Sequence, residues 1–285
     1  MLPFMPGHFD SIGFVAEQDE DLLPWVRRAV REGDQIEVIG ADPGWGGRYI
    51  CWSPGHGVQL WVNVNERGQI QGFDPHFEGR GRAHITLERS YDYDTAPPTG
   101  GVFAWIGLGS LEETKAGFDL PAFARFYDMA CDYDGNALVQ VAAFTHGAEA
   151  FPDVPSYQAA QAEIERDNPE LAFAVESFLP IGYFDPGGKI PPATARLSGI
   201  ILEAERLTNP ATGRAFNHAL VKTVGMTVDV VADDDQISGV PQPGGVLSGA
   251  FWLSALPAEG PRRPPLRTTK PAKITITKLE DATGE

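Results

Sequence analysis

The sequence predicts an α+β protein: a mixed N-terminal part, a β-rich middle and a small β-barrel near the C-terminus. Three observations lead there. One amphipathic helix is written near the N-terminus by Leu22, Trp25, Val26, Ala29 and Val30, a stripe of period 3.6. Elsewhere the apolar residues mostly fall in short runs or alternate, as strands do. Between residues 194 and 254 such runs follow one another with only Gly-rich turns and one loop between them. The chain has 285 residues, of which 42% are hydrophobic, enough to bury real cores and to exclude wholesale disorder.

Taken in order, Ser11 to Ala16 predicts a first strand. Asp19, Glu20 and Asp21 then open the helix at its positive end, Arg27, Arg28 and Arg31 sit toward its negative end, and Gly33 stops it. Strands are expected at 35–39, 48–52 and 58–65, with Gly-rich turns between them. In the middle, 83–87, 102–105 and 137–144 read as strands, 119–129 as a short helix and 156–166 as a better one. Asn168-Pro169-Glu170 reads as a helix start, whereas Leu171, Phe173 and Val175 alternate as a strand would. The last third predicts a long strand at 194–207 bent at Gly199, a loop at 208–213, strands at 216–224 and 226–232 joined at Gly225, and a final strand at 246–254.

Charge and proline punctuation set the expected boundaries. Residues 93–192 carry a net charge of −11 and residues 258–285 one of +2, with Pro97-Pro98, Pro191-Pro192 and Pro257 near the shifts. The expected organisation is an α+β domain over 1–192, divisible into modules 1–92 and 93–192, then a barrel over 193–257. A Pro-rich basic tail follows over 258–285, in which 273–277 alternates as a candidate edge strand.

With 22 basic and 39 acidic residues the net charge is −17, which argues against duplex nucleic acid and against an anionic membrane surface as partners. The N-terminus lacks a secretory pattern, and no apolar run is long enough to span a bilayer. Two cysteines, Cys51 and Cys131, are no disulfide framework; reduced thiols in a cytoplasm are expected, with a single bridge left open.

The densest polar cluster runs from Asp74 to His84. In an extended chain Asp74, His76 and Glu78 point to one side, and two imidazoles with a carboxylate are the ingredients of a metal site or an acid–base pair. The candidate metal ligands are therefore His76, His84, Asp74 and Glu78, with Gly79 and Gly81 as the turn that would bring the imidazoles together. His146 and Glu149 read as a polar strand end, and His56 and His218 as lone histidines. No nucleophile elbow, phosphate loop or Cys-x-x-Cys pair occurs.

The strand–helix–three-strand unit over residues 10–65, opened by Ser11-Ile12-Gly13-Phe14-Val15, resembles one module of the vicinal oxygen chelate superfamily, the glyoxalase and extradiol dioxygenase group. His84-Ile85-Thr86-Leu87 resembles the first strand of a second module. The resemblance implies a divalent metal held between paired modules by His and Glu. At the matching positions stand Ser11, Gln59 with Trp61, and Gln140, with His84 alone in place. Residues 193–257 resemble an oligonucleotide/oligosaccharide-binding barrel, which implies single-strand binding; Arg206, Arg214 and Phe216 flank one loop and are the candidate contacts. The expected function is non-catalytic binding of a small molecule or a protein, with no cofactor and with oligomerisation left open. The alternatives are a metal-dependent lyase, isomerase or dioxygenase of the vicinal oxygen chelate type, and single-stranded nucleic-acid binding by the barrel.

Overall fold

The computed structural model describes residues 7–38, 46–92, 95–107, 114–124, 135–168, 172–181 and 192–258. The protein is mostly β-sheet with few helices. The expected strand at Ser11–Ala16 does not form: a one-turn helix, α1 (Gly7–Asp10), precedes it, residues 11–13 are a turn, and 14–16 have no regular structure. Two features keep this backbone out of a ladder. Gly13 has a φ of 81°, and the carbonyls of Ile12 and Gly13 accept from the side chains of Asn209 and Thr212. The glyoxalase-like order of strand, helix and three strands thus lacks its opening strand.

Helix α2 (Asp19–Glu32) forms as expected, its start held by the Asp21 carboxylate accepting from the N–H groups of Glu17 and Gln18. Leu22, Val26, Ala29 and Val30 are buried, while Trp25 is only half-buried at the edge of the stripe. An antiparallel meander follows: β1 (Asp34–Val38), β2 (Gly47–Gly55), β3 (Val58–Asn65) and β4 (Ile70–Phe77). One face of this sheet, with Ile50, Trp52, Leu60, Val62 and Val64, packs under α2. The other carries Tyr49 and Trp61 against Ala122 and Ala124.

The second sheet has ten strands among the described residues. These are β5 (Arg82–Asp92), β6 (Gly100–Ile106), β7 (Thr114–Leu120), β8 (Asn136–Phe151), β9 (Ser177–Pro180), β10 (Thr194–Thr208), β11 (Ala215–Thr223), β12 (Met226–Ala232), β13 (Ile237–Ser238) and β14 (Val246–Pro257). Between β8 and β9 lies α3 (Val154–Asp167), close to its expected place. Of the helix expected at 119–129, Asp119 and Leu120 are instead the end of β7, paired with Gly101 and Gly100 of β6; residues 123–124 are helical, and 125–129 lie outside the described residues. Residues 172–174 form neither helix nor strand.

The long strands β8 and β14 form an antiparallel ribbon paired from Val139↔Pro257 to Phe151↔Val246. Two rings of strands close on this ribbon. One runs β14–β10–β11–β12 and back to β8; the other runs β14–β7–β6–β5 and back to β8. The strands of residues 193–257 therefore do not close on themselves, since β8 lies between β14 and β12. One apolar interior, with Phe118, Val139, Val141, Val228, Val230 and Phe251, runs through both rings. The outward residues alternate with these: Ala142 and Phe144, Val231 and Trp252 join the core beneath α2. Among the described residues, no helix is long and apolar enough to cross a membrane, and Cys51 forms no disulfide. Cys131 and the candidate strand at 273–277 lie outside the described residues.

Candidate functional site

At one end of the packing between the two sheets, the outward positions of the barrel turn polar. His76, at the end of β4, is fully buried. Its Nδ1 lies 2.8 Å from the Ser254 hydroxyl of β14 and its Nε2 lies 2.6 Å from Oε1 of Gln140 on β8. The Gln140 amide nitrogen donates to Oδ2 of Asp229 at 3.0 Å and to the Phe77 carbonyl at 3.1 Å. Those two bonds fix the amide orientation, so Oε1 must accept. His76 accordingly carries its proton on Nε2 and accepts from Ser254 on Nδ1. Asp229 is fully buried in β12 and also accepts from the Gly81 N–H at 2.6 Å. Its Oδ1 faces Nε2 of His218 at 3.0 Å, and Nδ1 of His218 faces the half-exposed Glu205 at 3.0 Å. The run from Ser254 through His76, Gln140, Asp229 and His218 to Glu205 is one hydrogen-bonded seam from interior to surface.

The glycines of the 74–84 segment serve this seam. A Cβ on Gly79 would lie 2.3 Å from the Asp229 carboxylate, and one on Gly81 would lie 2.5 Å from the Val141 carbonyl. The backbone wraps the carboxylate because these residues have no side chain; they do not fold two imidazoles together. Burial holds the His76 imidazole down to about 4, against the opposing influence of Gln140 and Asp229. Burial raises the Asp229 carboxyl, but the bonds from His218 and Gly81 outweigh it and the net shift is downward. Asp74 moves the other way, up to about 7, through burial and then the nearby charge of Asp119.

The four candidate metal ligands are not gathered. His76 has both nitrogens engaged in the seam. Glu78 is exposed and accepts from Gln59 Nε2, whose own carbonyl accepts from the Trp61 indole. Asp74 is half-buried, and His84 points outward from β5 between the inward Ala83 and Ile85. Among the described residues, no three His, Cys, Asp or Glu side chains are grouped to hold a metal. Nor do the three candidate nucleic-acid contacts form a platform. Phe216 is fully buried with its ring edge-on to Phe77, and of the two exposed arginines Arg206 is held by a two-pronged bond to Asp234, which leaves Arg214.

A separate concave surface lies where α3 crosses the β8–β14–β10 wall. The Asp153 carboxylate caps α3 by accepting from the Ser156 N–H at 2.8 Å, and Pro155 sits in the first turn. Helix α3 then fixes residues 172–174: the Tyr157 hydroxyl donates to the Phe173 carbonyl, and Gln161 Oε1 accepts from the Phe173 N–H at 2.8 Å. Phe173 is thereby set over Arg196 of β10, whose guanidinium lies 5.5 Å from the ring centre. Gln161, Ile164, Phe173 and Arg196 line a cleft whose floor is the backbone of Gly147, Ala148 and Gly249, with Glu149 on its wall. Arg196 is exposed, and among the described residues no carboxylate pairs with it.

Asp229, Ser254 and Arg196 were not singled out in the sequence, and His218 read only as a lone histidine. A lone acid inside the apolar run from Met226 to Ala232 does carry a signal, because a charge at a buried strand position requires partners. Arg196 carries none. Compared with known proteins, the chain matches no protein-family model, no curated protein and no solved structure.

Proposed function

We propose that the protein binds a small anionic ligand in the Arg196 cleft and does not transform it. The observation that carries this reading is the guanidinium of Arg196, which pairs with no carboxylate among the described residues and is held over Phe173 in a concave surface of a chain with a net charge of −17. In so acidic a chain a surface arginine has many carboxylates to choose from. One held on an aromatic face instead keeps its planar fork for a carboxylate or phosphate. Gln161 adds amide donors, since its carbonyl is already engaged by Phe173. The cleft encloses about 250 Å³, below the roughly 300–1,000 Å³ of drug-sized pockets, which favours a ligand of few atoms. The absence of transformation is supported by the seam, where the His76 nitrogens, the Gln140 amide and the Asp229 carboxylate all engage protein partners.

Calorimetric titration with benzoate and with uncharged benzamide tests the reading. Benzoate is expected to bind, benzamide at least tenfold more weakly, and Arg196→Ala to weaken benzoate at least tenfold, about 1.4 kcal/mol. Benzoate is expected back unchanged. Equal affinity for the two probes, or benzoate binding unaltered in Arg196→Ala, would refute it.

A further inference from the structure

His8 on α1 and His146 on β8 meet through their Nε2 atoms, 2.7 Å apart, with ring planes within 6° of parallel. Neither ring reaches this place by chance of a mobile surface. His8 is buried and stacks on the Trp252 indole, centroids 4.3 Å apart and planes 11° from parallel, and Trp252 donates to Asp119. The turn after α1 is tied down by Ser11 to Gln236 and by Asn209 to the Ile12 carbonyl. His146 is the extra residue of a β-bulge: Thr145 pairs with Phe251 and Gly147 with Ala250, which leaves His146 without a cross-strand partner. Gly147, at a φ of 149°, takes the backbone conformation that lets the strand resume. Bulges of this kind re-aim single side chains, and they recur beside functional sites.

We propose that His8 and His146 form a two-histidine site for a divalent transition-metal ion of the copper, nickel or zinc type. Imidazole nitrogen suits these ions and not calcium or magnesium. Two nitrogens bound side by side at about 2.0 Å stand roughly 2.8 Å apart on a tetragonal ion such as copper(II) or nickel(II), close to the spacing present, and roughly 3.3 Å apart on tetrahedral zinc. In the empty pair one ring donates its Nε2 proton to the other. Binding turns the exposed His146 ring about its fixed neighbour, and the donor ring's proton moves to Nδ1, so both rings stay neutral and no net proton is released. Burial holds His8 down to about 3 and lowers His146, so both are neutral and able to ligate at pH 7. Among the described residues no third His, Cys, Asp or Glu joins them, and water fills the other positions. The site is independent of the Arg196 cleft.

Titration of the full chain with nickel(II), with zinc(II) and with magnesium tests the proposal. Nickel and zinc are expected to bind at one site and raise the melting temperature, magnesium to do neither. His146→Ala removes an exposed side chain and is expected to fold while losing at least tenfold in nickel affinity. With copper(II), electron paramagnetic resonance is expected to count two nitrogen ligands in the parent and one at most in His146→Ala. No heat with nickel or zinc, or affinity and nitrogen count unchanged in His146→Ala, would overturn the site and leave a hydrogen-bonded pair only.

Discussion

The seam and the cleft are both polar, and they put polarity to opposite uses. In the seam, side chains from β4, β8, β12 and β14 satisfy one another at 2.6–3.1 Å, deep between two sheets. In the cleft, Arg196 faces an aromatic ring at the surface with no ion pair among the described residues. A buried polar group without a partner costs about 1–3 kcal/mol, so the seam is fixed by what its loss would leave unpaired. An exposed arginine costs little to hold open and remains available to a ligand. A crowd of histidines and acids is thus a poor guide to a binding site when its members are already each other's partners.

Three altered chains separate the two regions. The largest effect is expected from excising residues 193–257. That fragment keeps Asp229 and Ser254 but loses His76, Gln140 and Gly81, and it lacks β8, which lies between β14 and β12. It is expected to melt without a cooperative transition; a sharp calorimetric transition would detach the seam from the fold. Next, Asp229→Ala in the full chain strands His218, Gln140 and the Gly81 N–H, and should lose roughly 3–5 kcal/mol by urea denaturation. Arg196→Ala is expected to stay within about 0.5 kcal/mol of the parent in the same assay.

Acid tests the seam more finely. His76 has a folded pKa below its unfolded value of 6.5, so its contribution is full above pH 6.5 and is lost as pH falls toward about 4. The loss amounts to about 3 kcal/mol at a pKa shift of this size. Asp74, raised to about 7, has the opposite sign: its contribution is full below about 3.8 and is lost as pH rises through 7. Between pH 4 and 6.5 the two slopes oppose each other. Asp74→Asn should therefore make stability fall more steeply as pH drops through that window, and His76→Gln should make it fall less. Identical pH–stability slopes in parent and both variants would contradict this. Little change is expected at the exposed Arg206–Asp234 pair, where Arg206→Ala should barely move the urea midpoint, and less in high salt.

The legible parts of the chain were those written locally. The apolar stripe gave α2, with Trp25 less buried than its place in the stripe suggested. Apolar runs opened by a glycine, Gly57 and Gly225, gave β3 and β12 to the residue; both strands are buried at nearly every position. The opening strand failed because its carbonyls are claimed by Asn209 and Thr212, about 200 positions away. Ring closure was hidden for the same reason: nothing in residues 193–257 announces that β8 will stand between their strands. The seam was half visible. His76, Gln59 and Gln140 drew notice, the first as a ligand and the others as substitutes for one. Gln59 bonds to Glu78 and Trp61, outside the seam, whereas Asp229 and Ser254, the partners of Gln140 and His76, lie 89 and 114 residues beyond Gln140. Gly79 and Gly81 read as a flexible turn, but a close approach to a carboxylate is invisible until that carboxylate has a place.

The central claim is that the open cleft, not the polar seam, takes the ligand. An amide correlation spectrum of the full, isotope-labelled chain titrated with benzoate tests it most directly. The expected result is progressive, saturable shifts at Gly147, Ala148, Glu149, Phe173, Arg196 and Gly249, with Gln140, Asp229 and Ser254 unmoved. Shifts centred on Gln140, Asp229 and Ser254, or no shift at the cleft residues, would contradict it.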